Sequence, residues 1–346
     1  MIIVRPNNSH RYQPMLEEQR AVEPPLWHII CADYFNADRV LDCEVEGIHY
    51  GVSQEDFILE TGNNPTAQGQ HTKLPMNPIL YKPRWDLIDL NKYRAHDWHA
   101  KGYPSRSPYG VLYTSVSCPF KCKFCFSKDF YPVPYTERPL KDIFADLEYF
   151  REQGVTHIKI IDELFVLRTD RVKKICSYII NSCYTFNIWC YARIDTVDTE
   201  LLHIMKLAGI NWVCYGIESG NERIRKEVGK GKFTNEYIRK VVQQTKDAGI
   251  KVLGNFMFGF ENDTIQTMHD TYDLATEFQC EHINFYCLAD KNVNQLSKDF
   301  LPKSTKTLTP REVLEFRDNA FSEYTGSPKL EREINPFETG VNYNCG

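Results

Sequence analysis

The sequence predicts an α/β protein: a partial (β/α)6 barrel of TIM-like type, with a small N-terminal α/β remnant before it and a helical C-terminal tail after it. Three observations carry that prediction. Between about residues 110 and 290, short runs rich in β-branched and aromatic residues alternate with amphipathic stretches. The short runs are nearly continuous in apolar character, as expected of parallel strands covered on both faces. Six such units follow one another, which argues for a parallel sheet with right-handed crossovers; six rather than eight leaves the barrel open.

In chain order, residues 1–109 show little regular pattern. Pro24-Pro25-Leu26-Trp27 leads into a helix-like stretch to Tyr34, Val40-Leu41-Asp42-Cys43 and Phe57-Ile58-Leu59 read as short strands, and Gly62 to Arg84 reads as loop. The barrel strands are expected at Val111–Val116, His157–Ile161, Asn187–Tyr191, Trp212–Ile217, Val252–Phe258 and Ile283–Leu288. The helices between them carry boundary signals: Pro139 opens one that ends at Gly154, Asp198 caps one that ends at Gly209, Thr234 caps one that ends at Gly249, and Asp263 caps the next. After the barrel, Thr309-Pro310-Arg311-Glu312 is a capping box that opens one further helix, and Ser327–Gly346 reads as a frayed tail. The chain divides on this pattern into residues 1–109, 110–290 and 291–346.

Composition narrows the class. The chain has 346 residues, 25% of them charged, and a formal net charge of −5. No strongly basic domain appears, so general nucleic-acid binding is not expected. No apolar run approaches the ~18 residues of a membrane span. The apolar start is too short for a secretory signal, so the expected location is cytoplasmic. Twelve cysteines do not read as a disulfide framework in a chain of this size. Most are scattered singly, several of them inside strand-like runs as at Cys190, Cys214 and Cys287, where a free thiol packs as a small hydrophobe.

Three cysteines differ. Cys118, Cys122 and Cys125 form a CxxxCxxC cluster directly after the first barrel strand, at the end of the sheet where α/β sites are built. Thiolates on one compact loop suit an iron–sulfur cluster, and three of them on a four-iron cluster leave one iron open to a chelating small molecule. Lys121 and Lys123 are expected to help keep the thiols ionised. A structural zinc site is the competing reading, but zinc favours four protein ligands and no fourth Cys or His follows at finger spacing.

The spacing, together with Tyr113-Thr114-Ser115-Val116-Ser117-Cys118-Pro119-Phe120, resembles the radical S-adenosylmethionine (SAM) superfamily. The resemblance implies a [4Fe–4S] cluster on the three cysteines and SAM bound along successive strand ends. Asp162 and Glu163 would accept hydrogen bonds from the SAM amino group, and Arg193 would pair with its carboxylate, the alternative for Arg193 being an ion pair with Asp195. Glu218 would take a ribose hydroxyl, Gly254 and Asn255 lie in the strand that packs along the adenine, and Phe124 completes the set. No catalytic residue beyond these is identified. Reductive cleavage of SAM to a 5′-deoxyadenosyl radical acting on a small-molecule or unidentified substrate is the implied reaction, with an electron donor such as flavodoxin or ferredoxin. A non-catalytic iron–sulfur or zinc protein on the same scaffold is the reading from a different class.

The pieces Trp85-Asp86-Leu87, Tyr93 to His99, Ile160 to Phe165 and Trp212 to Glu218 look like the group of radical SAM proteins with an N-terminal cobalamin-binding domain. Here that domain reads as truncated, so cobalamin is not expected and a cobalamin-dependent methyltransferase is the second reading. The shortened region is expected instead to pack on the barrel edge through Trp27, Phe35, Phe57 and Trp85. A second departure is Ala289 to Asn294, where the relatives turn with Pro-Gly.

Overall fold

Strands that are apolar on both faces need cover on both, and helices supply only one of the two. A computed structural model describes residues 2–5, 21–46, 57–58, 76–125, 127–231, 233–289 and 300–326. The N-terminal elements are β1 (Ile2–Arg5), α1 (Leu26–Phe35), β2 (Arg39–Asp42), α2 (Cys43–Glu46), β3 (Phe57–Ile58) and α3 (Asp97–Ala100). The chain continues through β4 (Tyr109–Leu112), β5 (Ser115–Val116), α4 (Ser127–Phe130), β6 (Thr136–Glu137), α5 (Leu140–Glu152) and β7 (His157–Ile160). Then come α6 (Thr169–Asn181), β8 (Asn187–Ala192), α7 (Thr199–Leu207), β9 (Ile210–Glu218), α8 (Glu222–Glu227) and α9 (Asn235–Asp247). The last described elements are β10 (Lys251–Phe258), α10 (Ile265–Phe278), β11 (His282–Cys287) and α11 (Pro310–Thr325).

The main sheet has six strands in the order β11-β10-β9-β8-β7-β4, all parallel. This is the wall of a partial TIM-like barrel, and its strands lie where the apolar runs place them. The first strand is the exception. β4 ends at Leu112, Tyr113 and Thr114 leave the ladder, and Ser115–Val116 pairs antiparallel with β6. The Thr114 N–H, which has no ladder partner, donates instead to the Asp162 carboxylate at 2.6 Å.

The caps follow local chemistry. Asp198 accepts from Leu201 N–H at 2.8 Å, and Thr234 accepts from Tyr237 N–H at 3.2 Å. The Thr309–Glu312 box caps the start of α11. Asp263 is a correction: the cap of α10 is Thr264, and Asp263 ties the preceding turn by accepting from Gly259 and Phe260 N–H at 3.0 and 2.9 Å. Two adjacent side chains can each cap; the one in extended conformation beside the first turn wins.

Period-two alternation fixes what faces the barrel interior. On β8, Ile188, Cys190 and Ala192 join the core under the helices, while Trp189 and Tyr191 pack in a separate cluster with Trp212, Cys214 and Leu253. Trp98 of α3 plugs the amino end of the barrel against Trp189 and Trp212, at ring separations of 5.5 and 4.8 Å. On β11, Phe285 meets Tyr272 and Tyr324 outside, so Tyr286 points inward.

The N-terminal strands form a parallel sheet in the order β2-β1-β3, with α1 between β1 and β2. This region meets the barrel as expected at Trp27, against Tyr113 at 5.5 Å, and at Trp85, against Phe150 at 5.0 Å. Trp85 Nε1 also donates to Asp146 at 3.0 Å, and Asp146 is ion-paired with Arg138 at 2.5 Å. Phe35 packs on Tyr34 at 4.6 Å and is partly buried against the core. The side chain of Phe57, the turn from Asp290 to Asn294 and the tail from Ser327 lie outside the described residues.

Candidate radical SAM site

The cysteine loop crosses the carboxyl end of the barrel. Ser117 takes a left-handed conformation (φ 64°) and turns the chain out of β5. Cys122 is buried, whereas Cys118 and Cys125 are half-exposed. Lys123 N–H donates to Val228 O at 2.9 Å, the Cys122 thiol donates to Gly229 O at 3.6 Å, and the Cys125 thiol donates to Ser127 Oγ at 3.4 Å. The turn after α8 therefore holds the loop down. Among the described residues no group of three His, Cys, Asp or Glu side chains converges as a single-ion site. Three free thiols on one loop, two of them half-exposed, are the donor set that an iron–sulfur cluster takes. The expected help from Lys121 and Lys123 is not seen at Cys118. Both are exposed, and burial pushes the Cys118 thiol up, with Cys125, Glu163 and Cys122 adding to the rise.

Asp162 is buried, and its oxygens are taken. Thr114 N–H and Thr114 Oγ1 donate to it at 2.6 and 2.5 Å, and Ser115 Oγ donates at 2.6 Å. It braces the chain just before the cysteine loop, which corrects its reading as a SAM contact. Glu163 points the other way. It is open to water, yet the barrel wall rings it. That poorly hydrated setting, with Asp162 adding repulsion, pushes its pKa up to about 7, while Tyr131 hydrogen-bonds it and pulls the other way.

Arg193 is buried and committed. Its Nε and Nη2 donate to Asp195 at 2.9 Å each, Nη2 donates to Lys230 O at 2.6 Å, and Nη1 reaches Cys122 Sγ at 3.8 Å. The Asp195 pairing raised as the alternative is therefore present. Glu218, at φ 69°, is ion-paired with Lys230 at 2.9 Å. Gly216 makes room for that pair: a Cβ there would stand 2.5 Å from Glu218 Oε1 and 2.7 Å from Lys230 Nζ. Gly254 turns its bare face to Phe256 and Cys280 on the helix side, 2.8 and 3.1 Å from a built Cβ, which leaves only its backbone to offer the mouth. Asn255 does face inward and accepts from Asn284 Nδ2 at 3.0 Å. Phe124 is half-buried against Phe260, Met257 and Leu288.

Residues 112–275 match the family model of the radical SAM superfamily. The chain is a member of that superfamily. It is 28% identical over 204 residues to an uncharacterized methyltransferase of Pyrococcus horikoshii, covering 59% of this chain and 42% of the relative. It is 24% identical over 234 residues to the cytidylyl-2-hydroxyethylphosphonate methyltransferase of Streptomyces wedmorensis, covering 66% and 43%. The chain thus spans less than half the length of these relatives. In fold it is similar to the radical SAM methyltransferase TsrM from Kitasatospora setae with cobalamin and [4Fe–4S] cluster bound, at TM-score 0.58 and 15% identity, over 84% of this chain and 75% of that one. A [4Fe–4S] cluster and SAM are the cofactors the superfamily implies.

Sequence reasoning on this radical SAM chain missed Tyr131, Ser127, Lys230, Tyr191 and Tyr286. Lys230 lies twelve residues from its partner Glu218 and carries no local signal. Tyr191 and Tyr286 were within reach, because strand parity sets them opposite the helix-facing residues. Among the described residues no helix is long and apolar enough to cross a membrane.

Proposed function

We propose that this chain is a cytoplasmic radical SAM enzyme acting on a small molecule, with an electron supplied by a flavodoxin- or ferredoxin-like donor. The observation that carries the reading is the cysteine loop set over the strand ends with Glu163 open beside it. Cys118, Cys122 and Cys125 would hold the cluster, which when bound and reduced supplies the electron that cleaves SAM to a 5′-deoxyadenosyl radical. Glu163 would accept from the SAM ammonium as a carboxylate. Asn255 and Glu218 would offer acceptors farther along the mouth, and Phe124 an apolar wall. Tyr191 and Tyr286 line the interior below, and the Trp98 plug excludes water from the amino end.

The relatives' names favour a second reading, a cobalamin-dependent methyltransferase. The β2-β1-β3 order also resembles the start of a doubly wound sheet. Against it, the carboxyl edge of β1 and β2 is filled by the chain's own charges: Arg5 pairs with Asp42 and Glu44 at 2.9 and 3.0 Å, and Tyr93 donates to Asp42 at 3.1 Å. We therefore favour the reaction without corrinoid.

The test is anaerobic reconstitution of the full chain with iron and sulfide, then reduction with SAM, with and without hydroxocobalamin. Uptake of about four irons per chain, lost on replacing Cys118, Cys122 and Cys125 by Ala, with 5′-deoxyadenosine formed and no corrinoid retained after desalting, supports the first reading. Stoichiometric corrinoid retention overturns it in favour of methyl transfer. A loaded, reduced cluster that leaves SAM intact overturns both in favour of a non-catalytic protein.

A further inference from the structure

Of the three cysteines, Cys122 is the one the protein encloses, with the Gly229 carbonyl on its sulfur at 3.6 Å and Arg193 beside it. The guanidinium lies 3.8 Å from the centroid of the Phe120 ring, inside the cysteine loop itself. Two of its nitrogens are held by Asp195 and one of these also by the Lys230 carbonyl, which leaves Nη1 to reach the Cys122 sulfur at 3.8 Å. Arg193 is 6% exposed and Cys122 is 7% exposed. A planar fork fixed on three sides cannot swing away.

An added electron makes a cluster and its thiolates more negative. A donor N–H and a fixed positive charge at one sulfur therefore stabilise the reduced form more than the oxidised one. Hydrogen bonds to the sulfurs and local net charge are among the factors that set iron–sulfur potentials. Asp195 acts in the opposite sense, because its carboxylate neutralises much of that charge.

Resting on the cluster reading above, we propose that Arg193 is a positioning residue for the cluster: it orients Cys122 and raises the reduction potential, and Asp195 limits the rise. This differs from a role in gripping the SAM carboxylate, for which the guanidinium has little bonding capacity left.

The test is a spectroscopic redox titration of the reconstituted full chain without SAM. Arg193→Gln should displace the one-electron equilibrium toward the oxidised cluster about tenfold, a fall of about 59 mV in midpoint. Asp195→Asn, which keeps the guanidinium and uncovers its charge, should move the midpoint upward. Arg193→Lys, which keeps the charge without the fork, should lie between Arg193→Gln and the parent. If Arg193→Gln does not retain a cluster, the upward shift in Asp195→Asn decides alone. A loaded Arg193→Gln with the parent midpoint overturns the proposal, and so does an Asp195→Asn midpoint at or below that of the parent. Weakened SAM binding with an unchanged midpoint assigns Arg193 to SAM instead and overturns it too. A parent chain that takes up no iron overturns the cluster reading, and this proposal with it.

Discussion

Replacing Asp162 by Ala separates two roles that look alike in the sequence. The side chain accepts three hydrogen bonds at 2.5–2.6 Å from Thr114 and Ser115, all within a buried patch. Hydrogen bonds to a charged group contribute ~1.5–3 kcal/mol each. Part of that sum is offset because burial disfavours the carboxylate, pushing its pKa up against the pull of Ser115 and Thr114. The two hydroxyls can also turn to other acceptors, but the Thr114 N–H cannot, and a buried orphan donor costs ~1–3 kcal/mol. The expected net loss is ~3–5 kcal/mol in Asp162→Ala. Asp162→Asn, which keeps one acceptor oxygen for the Thr114 N–H, should lose ~1–2 kcal/mol. Denaturant unfolding of the full chain measures both, and iron content reports whether the cysteine loop has loosened with β5. Parent-like stability in Asp162→Ala, with SAM binding alone abolished, would refute the reasoning, because the carboxylate would then face the ligand and not the chain.

Two other perturbations test the mouth. Glu163, with its pKa pushed up to about 7 by its poorly hydrated setting and by the neighbouring Asp162 charge, should bind the SAM ammonium only when ionised. Affinity should then rise about fivefold from pH 6 to pH 7, where the SAM amino group, ordinarily near 7.7–8.0, stays charged; Glu163→Gln should flatten that profile, and an equally steep one in the variant rules Glu163 out. The same upward shift means that protonated Glu163 favours the folded state. Its contribution is present below the unfolded value of 4.5 and lost as the pH climbs through about 7, a modest term for a group open to water. Gly216→Ala forces apart a buried ion pair and should cost ~1–3 kcal/mol by overpacking. A parent-like unfolding midpoint would show that Lys230 and Glu218 move aside freely.

The barrel was legible because its signal is periodic and repeated. Each strand is a run of β-branched and aromatic residues bounded by capping residues, and neighbouring units reinforce the register. The cysteine loop was legible because its chemistry is compressed into eight residues. The side chains around it were not, because nothing in a linear pattern distinguishes a carboxylate that faces a ligand from one that faces the chain. Asp162 and Glu163 are adjacent, yet one is buried against the chain and the other exposed; only the departure of Thr114 from the ladder, visible in the fold, decides which is which. Likewise Gly254 sits in a motif-like strand, but the phase of β10 turns it toward Cys280. Arg193 reads in the sequence as a partner for the SAM carboxylate with the Asp195 ion pair as the alternative, and the fold shows that ion pair, held against Phe120 of the cysteine loop.

The same logic explains the irregular N-terminal stretch. A six-stranded open barrel exposes two edges, and an uncovered edge strand invites pairing with another chain. At β11 the cover is α11, through Phe285 against Tyr324 at 6.1 Å, and the Tyr324 hydroxyl also donates to Cys280 O at 3.2 Å; Phe316 of the same helix reaches Phe258 on β10 at 5.0 Å. On the β4 side the cover comes from residues before the barrel: the His99 ring lies 6.1 Å from Tyr109 on β4, Tyr113 just past β4 donates to Pro78 O at 3.1 Å, and the same segment reaches the neighbouring strand starts, with His99 and Asn187 of β8 in contact at 3.0 and 2.8 Å and Ser105 O meeting His157 of β7 at 2.9 Å. Apart from His99 in the four-residue α3, these contacts come from irregular segments, so little periodicity was required of the sequence there. Glu23 goes further and pairs with Lys159 on β7 at 2.6 Å, so the region before α1 supplies a counter-charge to the barrel strand. Residues of this kind serve the barrel whether or not a corrinoid is ever bound. Their presence therefore does not count as evidence for one, and retention of the corrinoid itself has to be measured.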